Sequence, residues 1–120
     1  MSNIIFFEKN VIDINGHKKV FQHDISEVKE IGDLVAVRLS IPTNQSLDLE
    51  DFSNVYCINN SGIVTWQIKN NKPVDNPDFI LAPISLLVLI DEKLVVTDFM
   101  GRRYSVNLSN GEMELIGISK

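Results

Sequence analysis

The stretch NVYCINNSGIVTWQIKN, residues 54–70, contains two runs of alternating apolar and polar residues on either side of a short turn. Before the turn, Tyr56 and Ile58 share one face of the chain. After it, Val64, Trp66 and Ile68 recur at every second position. Successive side chains of a strand point to opposite faces, so a period of two on both sides of a glycine-containing turn predicts a β-hairpin.

Two further segments of the chain have the same pattern. VIDINGHKKVFQ, residues 11–22, turns at Asn15-Gly16, the strongest two-residue hairpin signal. RRYSVNLSNGEMELIG, residues 102–117, turns at Gly111 and its two preceding residues. The three hairpins therefore recur at intervals of about 40–50 residues, the range in which repeat units of four short strands are found.

A second similarity links the segments that precede the last two hairpins. FQHDISEVKEIGDLVAV, residues 21–37, is similar to FILAPISLLVLIDEKLVVT, residues 79–97, with Leu34-Val35 matched to Leu94-Val95. Each unit then has a strand a (25–31 and 84–90), a strand b (34–40 and 94–99) and the hairpin as strands c and d. A capping-box pattern at residues 24–27 also fits a helix, but the uniformly apolar partner segment favours a strand or irregular structure.

These units resemble the blade repeats of the WD40 and quinoprotein-like β-propeller superfolds, each built from four antiparallel strands. The resemblance covers a partial unit at residues 4–23 and full units at residues 24–70 and 79–117 of one domain, residues 1–120. Only one strand d carries a tryptophan, Trp66, and the chain has fewer units than the smallest closed propellers, which have about four blades. The resemblance implies an all-β fold of antiparallel four-stranded units, as an incomplete propeller or a curled sheet or sandwich. The alternative is a plain β-meander.

Acidic residues are concentrated in one part of the chain. The net charge is -5, and residues 24–51 hold the whole excess, because acids and bases balance elsewhere. Phosphate binding requires a basic surface, so nucleic acid is not an expected partner.

The longest apolar run, residues 79–90, is shorter than the roughly 20 residues of a membrane helix. The apolar run near the N-terminus has no basic residue before it, unlike a signal peptide. The sequence predicts a cytoplasmic protein without a membrane partner.

Comparison of the two full units shows an insertion. Between strands b and c the second unit needs only Met100-Gly101, whereas the first uses residues 41–53, an acidic loop that also contains apolar side chains. Insertions on a repeat scaffold often form a binding face, so we expect this loop and the acids of residues 24–33 to form one. The alternative is that Leu49 and Phe52 close the core while the acids are solvated. The predicted partner-binding residues are Asp48, Leu49, Glu50, Asp51, Phe52, Glu27, Glu30 and Asp33.

No motif in the chain indicates catalysis, a metal or a cofactor. His17 and His23 have no acidic or cysteine cluster beside them that would complete a metal site. Cys57 is the only cysteine, and its place in the middle of a strand is typical of a small buried apolar residue. A nucleophilic pairing of Cys57 with a histidine is the less favoured interpretation.

We therefore expect a non-catalytic protein-binding module that uses an acidic face against a basic protein partner. Size and charge suit an immunity or antidote protein that neutralises a basic toxin. This inference rests on charge and size and not on a motif. A homodimer is compatible with the pattern. The alternative is a β protein that binds a small ligand or carbohydrate near Trp66 and Tyr104, since aromatic side chains often line such sites.

Overall fold

The computed structural model describes residues 3–42 and 46–118. Within these ranges the chain is all-β, with eleven strands and one short helical turn. The elements are β1 (Ile5–Glu8), β2 (Val11–Ile14), β3 (His17–Val20), β4 (Ile25–Ile31), β5 (Leu34–Leu39), α1 (Leu49–Phe52), β6 (Val55–Ile58), β7 (Val64–Gln67), β8 (Ile84–Ile90), β9 (Lys93–Asp98), β10 (Arg102–Val106) and β11 (Met113–Ile118).

The strands form three separate antiparallel sheets. The first sheet has the order β1-β2-β3, the second β4-β5-β6-β7 and the third β11-β10-β9-β8. All three predicted hairpins are confirmed, at β2-β3, β6-β7 and β10-β11. Residues 25–31 form a strand and not a helix, so the prediction from the apolar partner segment is confirmed. The all-β, antiparallel fold class is confirmed as well.

The second sheet lies between the other two, because its two faces belong to two different cores. One face contributes Val35, Val37 and Ile58 to a cluster with Ile12 and Ile14 of the first sheet. The opposite face contributes the three residues of one cross-strand row to a cluster with the inner face of the third sheet. That row is Ala36, Cys57 and Trp66. The alternation expected for the quoted hairpin therefore fills two cores, one on each side of the sheet.

Each pair of neighbouring sheets is also joined by hydrogen bonds. Ile25 N–H donates to the Lys9 carbonyl between the first and second sheets. Between the second and third sheets, Leu87 N–H donates to Glu27 Oε1 at 3.0 Å. Trp66 Nε1–H donates to the Leu108 carbonyl at 2.8 Å. These directional contacts fix the way in which one apolar face lies on the next.

The predicted alignment of the two full units is wrong by one residue in strand b. Ile31 pairs with Leu34, and Ile90 pairs with Lys93. Leu34 therefore corresponds to Lys93, not to Leu94. A slip of one residue exchanges the two faces of a strand, so the error would have assigned the wrong residues to each core. The predicted strand b of the third sheet begins one residue too late for the same reason.

No helix in residues 3–42 or 46–118 is long and apolar enough to cross a membrane. Within the same residues there is also no group of three or more His, Cys, Asp or Glu side chains placed to hold a metal ion.

Candidate functional site: an acidic helical turn beside the second sheet

The predicted acidic loop contains a single helical turn, α1, that interrupts the connection between β5 and β6. Its backbone is fixed by its own acids: Asp48 N–H donates to Asp51 Oδ2 at 3.0 Å, and Asp51 N–H donates to the Asp48 carbonyl at 3.0 Å. The side chains of Asp48, Leu49 and Glu50 are exposed, and Leu49 is 79% exposed. We call these three residues the acidic turn. Residues 43–45 of the predicted loop lie outside the described residues.

Asp51 and Phe52 have a different environment from the acidic turn. Asp51 Oδ1 lies 2.8 Å from Nε2 of His23, and its side chain is only 12% exposed. Phe52 is half-buried, and its carbonyl accepts a hydrogen bond from Asn70 Nδ2 at 2.6 Å. Both residues therefore anchor the turn to the rest of the protein. Leu49 does not close the core, since its side chain is largely exposed, and Phe52 is half-buried but belongs to neither of the two core clusters.

Two buried asparagines hold the connection against the sheets. Asn54 is 1% exposed; its Nδ2 donates to the carbonyls of Leu39 and Ile84, both at 2.9 Å, and its Oδ1 accepts from Ile84 N–H at 2.8 Å. Asn70 is 4% exposed and links the Phe52 carbonyl to the Ala82 carbonyl. Sequence reasoning missed both residues, although they are the first and last residues of the hairpin segment that organises the chain. Their only signal was the placement of a polar amide at each end of an apolar pattern.

The remaining predicted partner-binding residues do not join the acidic turn. Glu27 is partly buried, and its Oε1 accepts from Arg38 Nε at 2.7 Å as well as from Leu87 N–H. It is a structural residue between the second and third sheets. Glu30 and Asp33 are exposed, but they lie at the far end of β4 from His23 and the acidic turn. β4 has seven residues and spans roughly 20 Å. The structure divides the predicted acidic face into two separate places.

A shallow groove borders the acidic turn on the side of β7. It has a volume of about 280 Å³ and is lined by Leu49, Glu50, Ser53, Gln67 and Lys69, among others. Lys69 Nζ lies 3.8 Å from a carboxylate oxygen of Glu112, the residue before β11. The lining of the groove therefore includes an acid, Glu50, a base, Lys69, and the exposed Leu49.

Of the two aromatic residues of the ligand-binding alternative, only Tyr104 lines the cavity described below. Trp66 is buried, and its only polar group is already bonded to the Leu108 carbonyl. Tyr104 lines a cavity of about 240 Å³ that also contains Phe79, Met113 and Asn71. Burial raises the pKa of the Tyr104 hydroxyl above its ordinary value. Ligand pockets usually measure about 300–1,000 Å³, so this cavity is small for a carbohydrate.

Cys57 lies in the core between the second and third sheets. Burial raises the pKa of its thiol, which is the opposite of what a nucleophile needs. His23 pairs with Asp51, a contact that no sequence pattern indicated. His17 lies at the turn between β2 and β3 and is exposed. No arrangement among these three side chains supports the nucleophilic interpretation.

Comparison with known proteins gives the fold and a family. The chain is similar to the crystal structure of the computationally designed Ika8 protein, with 11% identity and a TM-score of 0.52 over 94% of this chain. This chain spans only 34% of the length of that structure. No curated protein matches the chain.

The family match overturns the resemblance to WD40 and quinoprotein-like propellers. Nothing in the matched family indicates such repeats, and the three sheets of the described residues do not close into a ring. The repetition that suggested blades reflects two sheets of equal strand order. A family model matches residues 1–118, and the chain therefore belongs to the family described as a domain of unknown function, DUF7957.

Proposed function

We propose that the protein is a non-catalytic protein-binding module whose contact surface is the acidic turn. The observation that carries the proposal is the exposed Leu49 between two exposed carboxylates, Asp48 and Glu50, on a backbone anchored through Asp51 and the buried Asn70. Exposed leucines are common on their own. An exposed leucine at the edge of a groove and flanked by charge has the composition of an interface, with an apolar centre and a polar rim.

The framework beneath the turn supports this proposal because it lowers the entropic cost of binding. A flexible loop loses conformational freedom when it binds, whereas a surface that is already ordered loses much less. The turn is tied to the segment between β3 and β4 through the His23–Asp51 pair, and to the start of β8 through Asn54. These bonds join three parts of the chain that lie far apart in sequence, so the turn is presented in one geometry.

The charge of the turn favours a basic partner. Two exposed carboxylates on a chain of net charge -5 would speed the encounter with a basic protein, and the leucine would slow its dissociation. In its narrower form the proposal is an immunity or antidote protein of the cytoplasm that covers a basic toxin. Size and charge support this narrower form, and the partner's identity decides it.

The test is affinity capture from the source cells with two triple variants of equal charge change. The first, Asp48→Asn with Leu49→Ala and Glu50→Gln, removes the acidic turn and leaves Asp51 in its structural role. The control, Val74→Ala with Asp75→Asn and Asp78→Asn, removes one exposed apolar side chain and two exposed acids from the linker before β8.

We expect the wild-type protein and the control to capture the same basic protein, and the first variant to lose it. Binding should weaken as salt is raised, because exposed charges are screened over about 10 Å at 0.1 M ionic strength. Equal loss in both triple variants would mean that total charge, and not the acidic turn, determines binding. Full retention by the first variant would refute the proposal.

A further inference from the structure

The two outermost sheet faces of the protein have the composition of surfaces that pack, although they lie at opposite ends of the stack. The first outer face belongs to the first sheet and carries Phe6, Glu8, Asp13, Lys18 and Val20, which share one side according to the strand register. Phe6 is 69% exposed and Val20 is 63% exposed. Large apolar side chains so exposed on a regular strand indicate a surface for a partner.

The other outer face belongs to the third sheet, at the opposite end of the stack, and we call it the third outer face. In the third sheet, the side that points away from the second sheet carries Leu86, Ile90, Lys93, Val95, Arg103 and Glu114. Leu86 is 45% exposed and Ile90 is 44% exposed. Val95 belongs to neither of the two cores, yet it is only 6% exposed in the middle of this face. This face is therefore partly apolar at its centre and charged at its rim.

The net charges of the two faces have opposite signs. The first outer face carries the acids Glu8 and Asp13 and the base Lys18, so it has a net negative charge. The third outer face carries two bases, Lys93 and Arg103, and one acid, so its net charge is positive. Potentials of opposite sign across two apolar patches are the arrangement that fixes the register of an interface.

The same contact already occurs twice within the chain. The first sheet packs on one face of the second, and the third sheet packs on the other. We call the face of a sheet that is turned towards the first sheet's end of the stack its back face, and the opposite face its forward face. In both contacts the back face of the later sheet packs on the forward face of the sheet before it. The third outer face points forward and the first outer face points back, so together they would repeat this packing between two molecules.

We propose that the protein associates with a second copy of itself, head to tail, through the third outer face of one molecule and the first outer face of the next. Such an interface is heterologous, because the two molecules contribute different surfaces. The first sheet has only three strands of four residues each, so the contact is smaller than a standard interface of about 800 Å² per partner. We therefore expect a dissociation constant on the order of 10–100 μM. This inference is independent of the acidic turn, which is not on either face.

Sedimentation velocity of the full chain from about 1 μM to about 1 mM tests the proposal, since this range brackets the expected constant. The wild-type protein should shift from monomer to larger species, and the shift should weaken with added salt. Phe6→Lys on the first outer face and Leu86→Glu on the third should each weaken association at least about tenfold, because each puts a charge of the wrong sign into an apolar patch. Val74→Glu, which changes a fully exposed linker residue, should have no effect.

A mixture of the two variants separates this interface from a symmetric one. Phe6→Lys keeps its third outer face and Leu86→Glu keeps its first, so the mixture should form a one-to-one dimer that does not grow further. Arg103→Glu, an exposed change without effect on either core, gives a second test. In an otherwise wild-type protein it should weaken self-association, because it removes positive charge from the third outer face. A wild-type protein that stays monomeric up to about 1 mM would overturn the proposal. So would an effect of Phe6→Lys with none of Leu86→Glu, or an equal effect of Val74→Glu.

Discussion

The second and third sheets have the same strand order and corresponding cross-strand registers, but their forward faces differ. In the second sheet the central row across three strands is Ala36, Cys57 and Trp66, all buried under the third sheet. In the third sheet the corresponding row is Val95, Ser105 and Glu114. The backbone plan is thus repeated while the side chains change according to whether another sheet follows in the same chain.

The connection between the second and third strands of each sheet differs in the same way. In the third sheet it is the short segment 99–101, held by Asp98, whose Oδ1 accepts from the N–H groups of Met100 and Arg102. In the second sheet it runs from residue 40 to residue 54 and includes α1. A single aspartate is enough for the short connection, whereas the long one needs Asn54, Asn70 and the His23–Asp51 pair. The additional anchoring is consistent with the proposed role of the longer connection as a contact surface.

The largest effect on stability should come from substitutions in the two corresponding central rows of the second and third sheets. Trp66→Ala should lower the free energy of unfolding by about 3–5 kcal/mol, because it opens a large cavity and leaves the Leu108 carbonyl without its donor. Glu114→Ala at the corresponding position should change stability by less than about 0.5 kcal/mol, since its side chain is exposed. Urea unfolding of both variants measures the difference. Equal destabilisation would contradict the assignment of the two faces.

The next largest effect concerns two turn glycines. Gly111 has a φ of +80°, and a Cβ added there would lie 2.7 Å from Trp66 Cε3. Gly111→Ala should therefore cost about 2–4 kcal/mol from backbone strain and steric overlap together. Gly16, with a φ of +89°, has nothing within 4 Å of an added Cβ, so Gly16→Ala should cost only about 1–2 kcal/mol. Thermal unfolding of the pair isolates the contact between the second and third sheets, and a larger loss at Gly16 would argue against it.

The anchor of the acidic turn should have an intermediate effect. Asn54→Ala removes three hydrogen bonds in a buried site and should destabilise the protein by about 2–3 kcal/mol. As the control in the third sheet, Asn107→Ala removes one exposed bond to Ser109 N–H and should cost less than about 1 kcal/mol. Denaturant midpoints provide the comparison. If both variants were equally stable, the asparagine framework would not be what holds the turn.

The smallest effect concerns alkaline pH. Burial raises the pKa of the Cys57 thiol above its ordinary value of 9.0, so the unfolded chain loses this proton at lower pH than the folded chain does. The stability contribution is complete below the unfolded pKa and is lost as the pH rises through that value towards the folded pKa, with a slope of at most about 1.4 kcal/mol per pH unit. Cys57→Ala should reduce this slope in urea unfolding at alkaline pH, whereas Ser105→Ala at the corresponding position should leave it unchanged. An identical slope in the wild-type protein and Cys57→Ala would show that the thiol does not contribute.

Local patterns predicted the hairpins because their turns have recognisable chemistry, as at Asn15-Gly16. The one-residue error in strand b arose where that chemistry is hidden. Asp91 and Glu92 both adopt positive φ, at 51° and 63°, and so form a two-residue turn without the glycine that normally marks one. In the sequence, this turn is indistinguishable from a longer acidic loop, and the following strand appears to begin at Leu94.

The candidate site was predictable in part, for a similar reason. Acidic composition and the insertion between two strands located the loop, because both are local features. The division of the predicted acidic residues between two ends of β4 follows from strand direction, and Glu27 is taken up by Arg38 across the neighbouring strand. Asn54 bonds to Ile84, 30 residues away. Such contacts depend on the stacking of the sheets, which no local pattern specifies.

Amide hydrogen exchange of the protein with and without its captured partner tests the role of the acidic turn most directly. The account predicts added protection at residues 48–52 in the complex, with little change at residues 99–101, the corresponding connection of the third sheet, or in the linker at residues 71–79. Protection that left residues 48–52 unchanged and appeared instead at either of the other two segments would contradict it.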